Sequence, residues 1–209
     1  MPTIDLTVCT PSIPGRGAWL AQAIASVEAQ RVKPLAHVIR VDGPGGLPGV
    51  VRARRALAEI VGTKWMAGLD DDDVLLGYHF ETLQTAMENE VGDVIYTYDA
   101  SGQGTDLTNF STAQLVEFFD RDNCVPVTAC IRMEAFSRVG GWSDEGFDPD
   151  THLYGDGPCF AEDWDLWRRM AAAGARFVCL PVPTYHRRDG APHRLIDQAR
   201  ERHRRREGQ

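Results

Sequence analysis

Four consecutive carboxylates, Asp70, Asp71, Asp72 and Asp73, stand directly behind the apolar run Trp65-Met66-Ala67-Gly68-Leu69. A part-aromatic apolar run of this length reads as a buried strand, so the acids fall where that strand ends. Like charges this close repel, and a strand end offers few ways to neutralise them. A hard cation such as Mg²⁺ or Mn²⁺, ligated by oxygen, satisfies such a cluster. A solvated acidic loop is the plainer alternative. A second pair of acids, Glu162 and Asp163, opens the segment EDWDLWRRMAAAG. Trp164, Trp167 and Ala171 share one face of a helix there, and Gly174 reads as its C-terminal cap. Glu162 and Asp163 then lie in the first turn, where the macrodipole favours an ionised carboxylate. Capping alone accounts for acids at that position as well.

The elements that must position these groups alternate along the chain. Residues 6–9 read as a first strand, and Leu20, Ile24 and Val27 mark a helix face behind it. Residues 37–41 read as a second strand, and Val50, Leu57, Ile60 and Val61 outline a second helix. Residues 64–69 make a third strand, Phe80, Leu83 and Met87 a further helical stripe, and residues 93–98 another strand. Such alternation implies right-handed crossovers and an α/β fold: a single domain with a mostly parallel central sheet and helices on both faces. Beyond residue 100 the pattern is less regular. Residues 123–131 read as an apolar strand, 133–139 as a short helix, Gly140-Gly141-Trp142 as a turn, and 143–160 as an acidic, Gly/Pro-rich loop. Asp148, Asp150, His152 and Asp156 in that loop are oxygen or nitrogen donors, with solvation the simpler reading.

In open α/β sheets ligands bind outside the carboxyl ends of the strands. Three groups occupy that edge here: Thr10-Pro11-Ser12 after the first strand, Asp42-Gly43 after the second, and the four acids after the third. Asp42 is placed to accept hydrogen bonds from a nucleotide base or ribose. Gly43-Pro44-Gly45-Gly46 permits close backbone approach, as any glycine-rich turn does. GxGxxG and GxxxxGK[ST] are both missing, so neither a dinucleotide fingerprint nor a phosphate-cradling P-loop is supported.

Composition narrows the class. With 209 residues, 43% hydrophobic and 25% charged, the chain is ordinary globular material with room for one substantial core. It contains no apolar run of about 18 residues and opens without a basic-then-apolar leader, so the expectation is a cytoplasmic protein without a transmembrane segment. Five cysteines without a CxxC pair argue for reduced thiols and against a zinc site. The charge is uneven: from residue 186 onward there are eight Arg against four acids, whereas the rest carries 14 Lys or Arg against 26 acids. Arg200, Arg202, Arg204, Arg205 and Arg206 suit contact with nucleic acid or an anionic membrane surface, or form a solvated terminal helix.

Read in order, TPS, VDG, ARR, LDDDD, GGW and EDWDLWRRMAAAGARF resemble the inverting family 2 glycosyltransferases of the GT-A fold. LDDDD resembles that family's LDADD, and AEDWDLWRR its ED-x-x-L-x-x-R element. The resemblance runs from about Ile4 to Arg188. It implies one GT-A domain over residues 1–190, with a Rossmann-like nucleotide-sugar half to about residue 100 and an irregular acceptor half from 101 to 190. Residues 191–209 form an Arg-rich tail or helix. It further implies a nucleotide-diphosphate sugar donor, most often uridine-linked, and Mn²⁺ or Mg²⁺ as cofactor. Pro11 and Ser12 would line the nucleotide pocket, Asp42 would lie near the base, and Arg54 would approach the nucleotide. Asp70 and Asp71 would address the ribose, Asp72 would hold the metal, and His186 matches a position where some members add a metal or phosphate contact. Asp163 matches the family's base, with Glu162 positioning acceptor or backbone groups. Two departures stand out: Asp42 follows Val41 where the family often has a second Asp, and Arg55 replaces the usual Asn.

The implied chemistry needs a base on one face of the sugar and a Lewis acid on the departing diphosphate on the other. On this resemblance Asp163 and a metal-bound Asp72 would supply both. Competing readings are a nucleotidyltransferase, for which PGRGAW is a poor substitute for GxGTRxxP, and a non-catalytic nucleotide-sugar or partner-binding module of the same fold. A transferase acting on a modified nucleobase through the basic tail is a third. The acceptor (glycan, lipid, protein or modified nucleobase) is to be recognised by loops at residues 101–125 and 143–160, whose sequence does not spell out a ligand.

Overall fold

The computed structural model describes residues 1–42, 47–145, 147–148, 153–154 and 162–188. The glycine-rich turn at 43–46, Asp150, His152, Asp156 and the Arg-rich residues 191–209 lie outside the described residues. Seven strands form one sheet: β1 (Thr3–Ser12), β2 (Lys33–Val41), β3 (Trp65–Gly68), β4 (Asp73–Leu75), β5 (Val94–Asp99), β6 (Cys130–Arg132) and, last in the chain, β9 (Phe177–Arg187). Between them, β7 (Phe147–Asp148) and β8 (Leu153–Tyr154) pair antiparallel within the acidic segment. The order across the large sheet is β2-β1-β3-β6-β5-β9-β4. Strands β1, β2 and β3 are mutually parallel, and β5 and β9 run the same way, so only β6 and β4 oppose the common direction. The mostly parallel sheet expected from the alternating pattern is present.

Among the described residues six helices cover the sheet: α1 (Gly17–Glu28), α2 (Leu47–Glu59), α3 (His79–Glu88), α4 (Thr112–Phe119), α5 (Met133–Arg138) and α6 (Glu162–Ala172). Side-chain alternation on the strands divides the core into two layers. Trp65, Ala67 and Leu69 face one layer with Leu6, Val8, Val27, Phe80 and Leu83. Met66 faces the other, with Leu57, Phe119, Trp164, Trp167 and Phe177. None of the described helices is long and apolar enough to cross a membrane.

Several local expectations change in the structure. Helix α1 buries Ala23 and Val27 fully, while Leu20 and Ile24 stay half-buried. Helix α2 ends at Glu59, so Ile60, expected on its apolar face, is 64% exposed. The strand expected at residues 123–131 shrinks to β6. Pro126 has no N–H to donate, the Val125 carbonyl accepts the Trp167 indole N–H (3.1 Å), and the Val127 carbonyl accepts Gly68 N–H (3.2 Å). Those groups are satisfied outside a ladder. In the segment expected as loop, α4 forms behind a capping box: Ser111 Oγ accepts from Gln114 N–H, and the Gln114 side chain accepts from Ser111 N–H (2.9 Å).

The connection from β3 to β4 determines where the acids lie. In a flat sheet these strands would be four spacings apart, about 19 Å. The five chain steps from Gly68 to Asp73 reach at most about 18 Å when fully extended. The sheet therefore curls, bringing β4 and β3 close enough for the acid turn to join them.

Candidate active site

Strand β3 ends where Leu69 N–H bonds the Cys9 carbonyl (3.0 Å), and the chain then turns, with Asp73 N–H bonding the Asp70 carbonyl (3.0 Å). Asp71, Asp72 and Asp73 are all buried. Such burial demands compensation, and arginines provide much of it. Arg16, just before α1, donates from Nη1 to Asp71 Oδ1 (2.7 Å) and stands 3.8 Å from Asp72 Oδ2. Ser12, at the end of β1, donates its hydroxyl to Asp71 Oδ2 (2.6 Å). Both carboxylate oxygens of Asp71 are thus held by elements at the carboxyl end of the sheet. The neutralisation expected from a cation alone is in good part built into the protein.

Arg54 joins the acid turn to the second pair of acids. It occupies the inward stripe of α2, between buried Val51 and Leu57, where helical periodicity calls for an apolar residue. Its Nη2 donates to Asp70 Oδ1 (2.6 Å) and its Nε to Glu162 Oε1 (2.7 Å). The guanidinium lies over the Trp142 ring, 5.2 Å from the centroid. Gly68 makes room for it, because a Cβ there would stand 3.3 Å from Arg54 Nη1. Burial disfavours the charge on Arg54, but Asp70, Glu162 and Asp163 outweigh that and raise its pKa.

Helix α6 is held by its tryptophans. The Trp164 indole donates to the Phe119 carbonyl (2.7 Å) and the Trp167 indole to Val125, which fixes α6 against α4 and places Glu162 and Asp163 at the inner end. At the other end Gly174 takes φ +79°. Its N–H bonds Ala171 O (2.9 Å) and Ala175 N–H bonds Met170 O (3.0 Å), the paired closure of a Schellman cap. Burial and the neighbouring Glu162 charge raise the Asp163 carboxyl to about 7, against the opposing pull of Arg54 and the Trp164 N–H. Burial, together with Asp70 and Asp72, pushes Asp73 up to about 8, against the opposing pull of the Arg188 N–H and the Arg187 charge.

Of the residues singled out in the sequence, the structure brings Ser12, Arg54, Asp70, Asp71, Asp72 and Glu162 into one linked network, with Asp163 beside it, its carboxylate accepting from the Trp164 N–H (2.7 Å). Pro11 is buried beside it in β1, paired in register with Arg40. Asp42 reaches the same edge, its N–H bonding the Ser12 carbonyl (3.0 Å), but its carboxylate accepts from Arg40 Nε (2.9 Å). His186 is exposed on β9 opposite Val74; Arg188, two residues on, makes the contacts to the acid turn. Arg55 leaves the site altogether, donating to the Trp142 carbonyl and to Asp144 (2.8 Å). Sequence reasoning missed Arg16, Arg188 and Trp19, and took Trp142 only as part of the GGW turn. Only Arg54 carried a local signal, a charge in an apolar helix stripe.

No group of three or more His, Cys, Asp or Glu among the described residues gathers as a self-sufficient metal site. The donor set nevertheless fits Mg²⁺ or Mn²⁺. Such ions bind through one or two carboxylates and complete their shell with substrate phosphates and water, and Asp72 offers a hard oxygen at the strand edge.

The fold has solved counterparts. A structure of S. aureus TarS residues 1–349 superimposes with a TM-score of 0.61 at 12% identity over 88% of this chain and 60% of that one. The same protein in complex with UDP gives 0.61 at 11% identity, again over 88% and 60%. In complex with UDP-GlcNAc it gives 0.65 at 11% over 96% and 65%. The chain thus spans less than two thirds of the structures it matches. No curated protein matches the sequence significantly. The model of the family described as glycosyl transferase family 2 matches residues 21–139, more than half of the chain, and the chain belongs to that family.

Proposed function

We propose that this chain is a metal-assisted, inverting glycosyltransferase that moves a sugar from a uridine-diphosphate donor to an acceptor hydroxyl. The observation that carries this is the bridge through Arg54, which ties Asp70 on the donor turn (2.6 Å) to Glu162 beside Asp163 (2.7 Å). Donor carboxylates and candidate base are thereby held in one frame, as inversion demands, since attack and departure occur on opposite faces of the sugar. Asp70 addresses the ribose, Asp71 braces the turn through Ser12 and Arg16, and Pro11, Ser12 and Asp42 line the nucleotide end. With Glu162 engaged by Arg54, Asp163 takes the acceptor proton. A pKa near 7 matches that task, because a base works best when its pKa lies near the operating pH. Asp72 would hold Mn²⁺ or Mg²⁺; when bound with the diphosphate, the ion stabilises the charge on the leaving group. The TarS complexes with UDP and UDP-GlcNAc support uridine as the carrier.

Asp163→Asn tests the reading. It keeps size and most hydrogen bonding, so UDP binding measured by calorimetry should stay close to wild type. Sugar transfer should fall by about 10²–10⁴-fold. If Asp163 were only a helix cap, Asn would cap almost as well and transfer would survive. Wild-type turnover in Asp163→Asn with a competent acceptor would remove it from the mechanism.

A further inference from the structure

The acid turn is gripped from two sides. Ser12 and Arg16 hold carboxylate oxygens, whereas Arg188, just past β9, holds the backbone. Its Nε donates to the Asp72 carbonyl (2.7 Å) and its Nη2 to the Asp71 carbonyl (3.2 Å), with a weaker approach to that of Asp73 (3.5 Å). The same guanidinium reaches α1, donating to Gln22 Oε1 (2.6 Å) and to the Trp19 carbonyl (3.2 Å). It also stacks over the Trp19 ring, 4.6 Å from the centroid. The Arg188 N–H donates to Asp73 Oδ1 (3.2 Å). One side chain therefore clamps three segments far apart in sequence: α1, the acid turn and the end of β9.

We propose that Arg188 is a positioning residue for donor binding, fixing the turn whose carboxylates meet the nucleotide diphosphate. This rests on the donor site proposed above. A turn with four adjacent carboxylates would otherwise sample many backbone arrangements, and a ligand that had to order it would bind correspondingly weaker. The planar fork of arginine matters here, because its nitrogens serve separate carbonyls at once. A lysine ammonium keeps the charge but cannot span them.

The test uses Arg188→Met and Arg188→Lys in the full chain, with UDP plus Mn²⁺ as probe and amide hydrogen exchange as a nucleotide-free readout. In both variants the Kd for UDP should rise at least tenfold. The donor KM should rise while kcat at saturating donor is largely retained. Exchange protection should drop at Asp73 and Leu75 and at the Trp19 to Gln22 turn, with the α6 amides unchanged. Two results would overturn the proposal: a UDP Kd within twofold of wild type with the turn still protected, or full rescue by Lys, which would make charge alone sufficient. Should Arg188→Met unfold, Arg188→Lys decides by the same readouts. A wild-type protein that binds no UDP would sink the donor reading instead, and exchange would still decide whether Arg188 holds the turn.

Discussion

Asp163 owes its near-neutral titration first to burial, then to the charge of Glu162 beside it, and its pH behaviour follows from that placement. As general base it must be ionised, so kcat/KM should fall about tenfold per pH unit below pH 7 and level off above it. The same shift has a stability consequence of fixed sign. The folded carboxyl keeps its proton up to about 7, whereas the unfolded one releases it near 3.8. Between those values the native state binds more protons, so this group's contribution to stability declines as pH rises through the window and is constant above it. Melting curves from pH 4 to 8 should therefore show a decline for wild type that is shallower in Asp163→Asn, and a rate profile flat down to pH 5 would refute the assignment. The acids themselves were legible in the sequence because type and local spacing carry the signal. Of their arginine partners only Arg54 was singled out, and none of the pairings was legible. Arg16 meets Asp71 across 55 residues, Arg54 meets Glu162 across 108, and Arg188 meets the Asp72 carbonyl across 116. Nothing near an arginine in sequence names a carboxylate that far away.

Elements with a strong local period were legible for the same reason. The stripe Phe80, Leu83 and Met87 is buried on α3 as expected, and Trp164, Trp167 and Ala171 are buried on α6. Residues 123–131 misled because apolar character reports burial but not ladder pairing, and here the carbonyls are spent on an indole and on Gly68. Helix α4 was readable from Ser111 and Gln114, a capping pair three residues apart ahead of buried Leu115 and Phe119. Gly68 links β3 to the site. A Cβ there would stand 2.8 Å from both Val127 Cγ2 and the Val127 carbonyl, besides crowding Arg54. Gly68→Ala should cost about 1–3 kcal/mol, as overpacking does. It should also lower kcat/KM, because the arginine that frames both halves of the site must shift. Gly62→Ala is the control, since a Cβ at Gly62 meets nothing within 4 Å and should leave both quantities unchanged. Equal melting temperatures and rates in the two variants would show that Gly68 is not sterically required.

At the scale of the molecule, the curl of the sheet turns separate sequence motifs into one site. The alternating pattern specifies strands and helices but not the position of β6 between β3 and β5, nor the return of β4 to the far edge beside β9, because both depend on pairings between distant segments. Since α1, the acid turn, α2 and α6 meet around that curl, a ligand seated there should stabilise the whole fold. Binding confined to the native state adds about 2.7 kcal/mol at a ligand concentration one hundred times Kd. For a domain of 150–250 residues that corresponds to a rise in Tm of roughly 5–10 °C. Saturating UDP with Mn²⁺ should raise the melting temperature by this amount, and chelation should remove most of the gain if Asp72 shares the ion with the diphosphate. Asp72→Asn separates the two contributions. It replaces a hard anionic ligand by a neutral amide, so its UDP-induced shift should be small and the same with Mn²⁺ as with EDTA. A wild-type shift that is indifferent to EDTA would instead mean that the arginines around the turn neutralise the diphosphate without a metal.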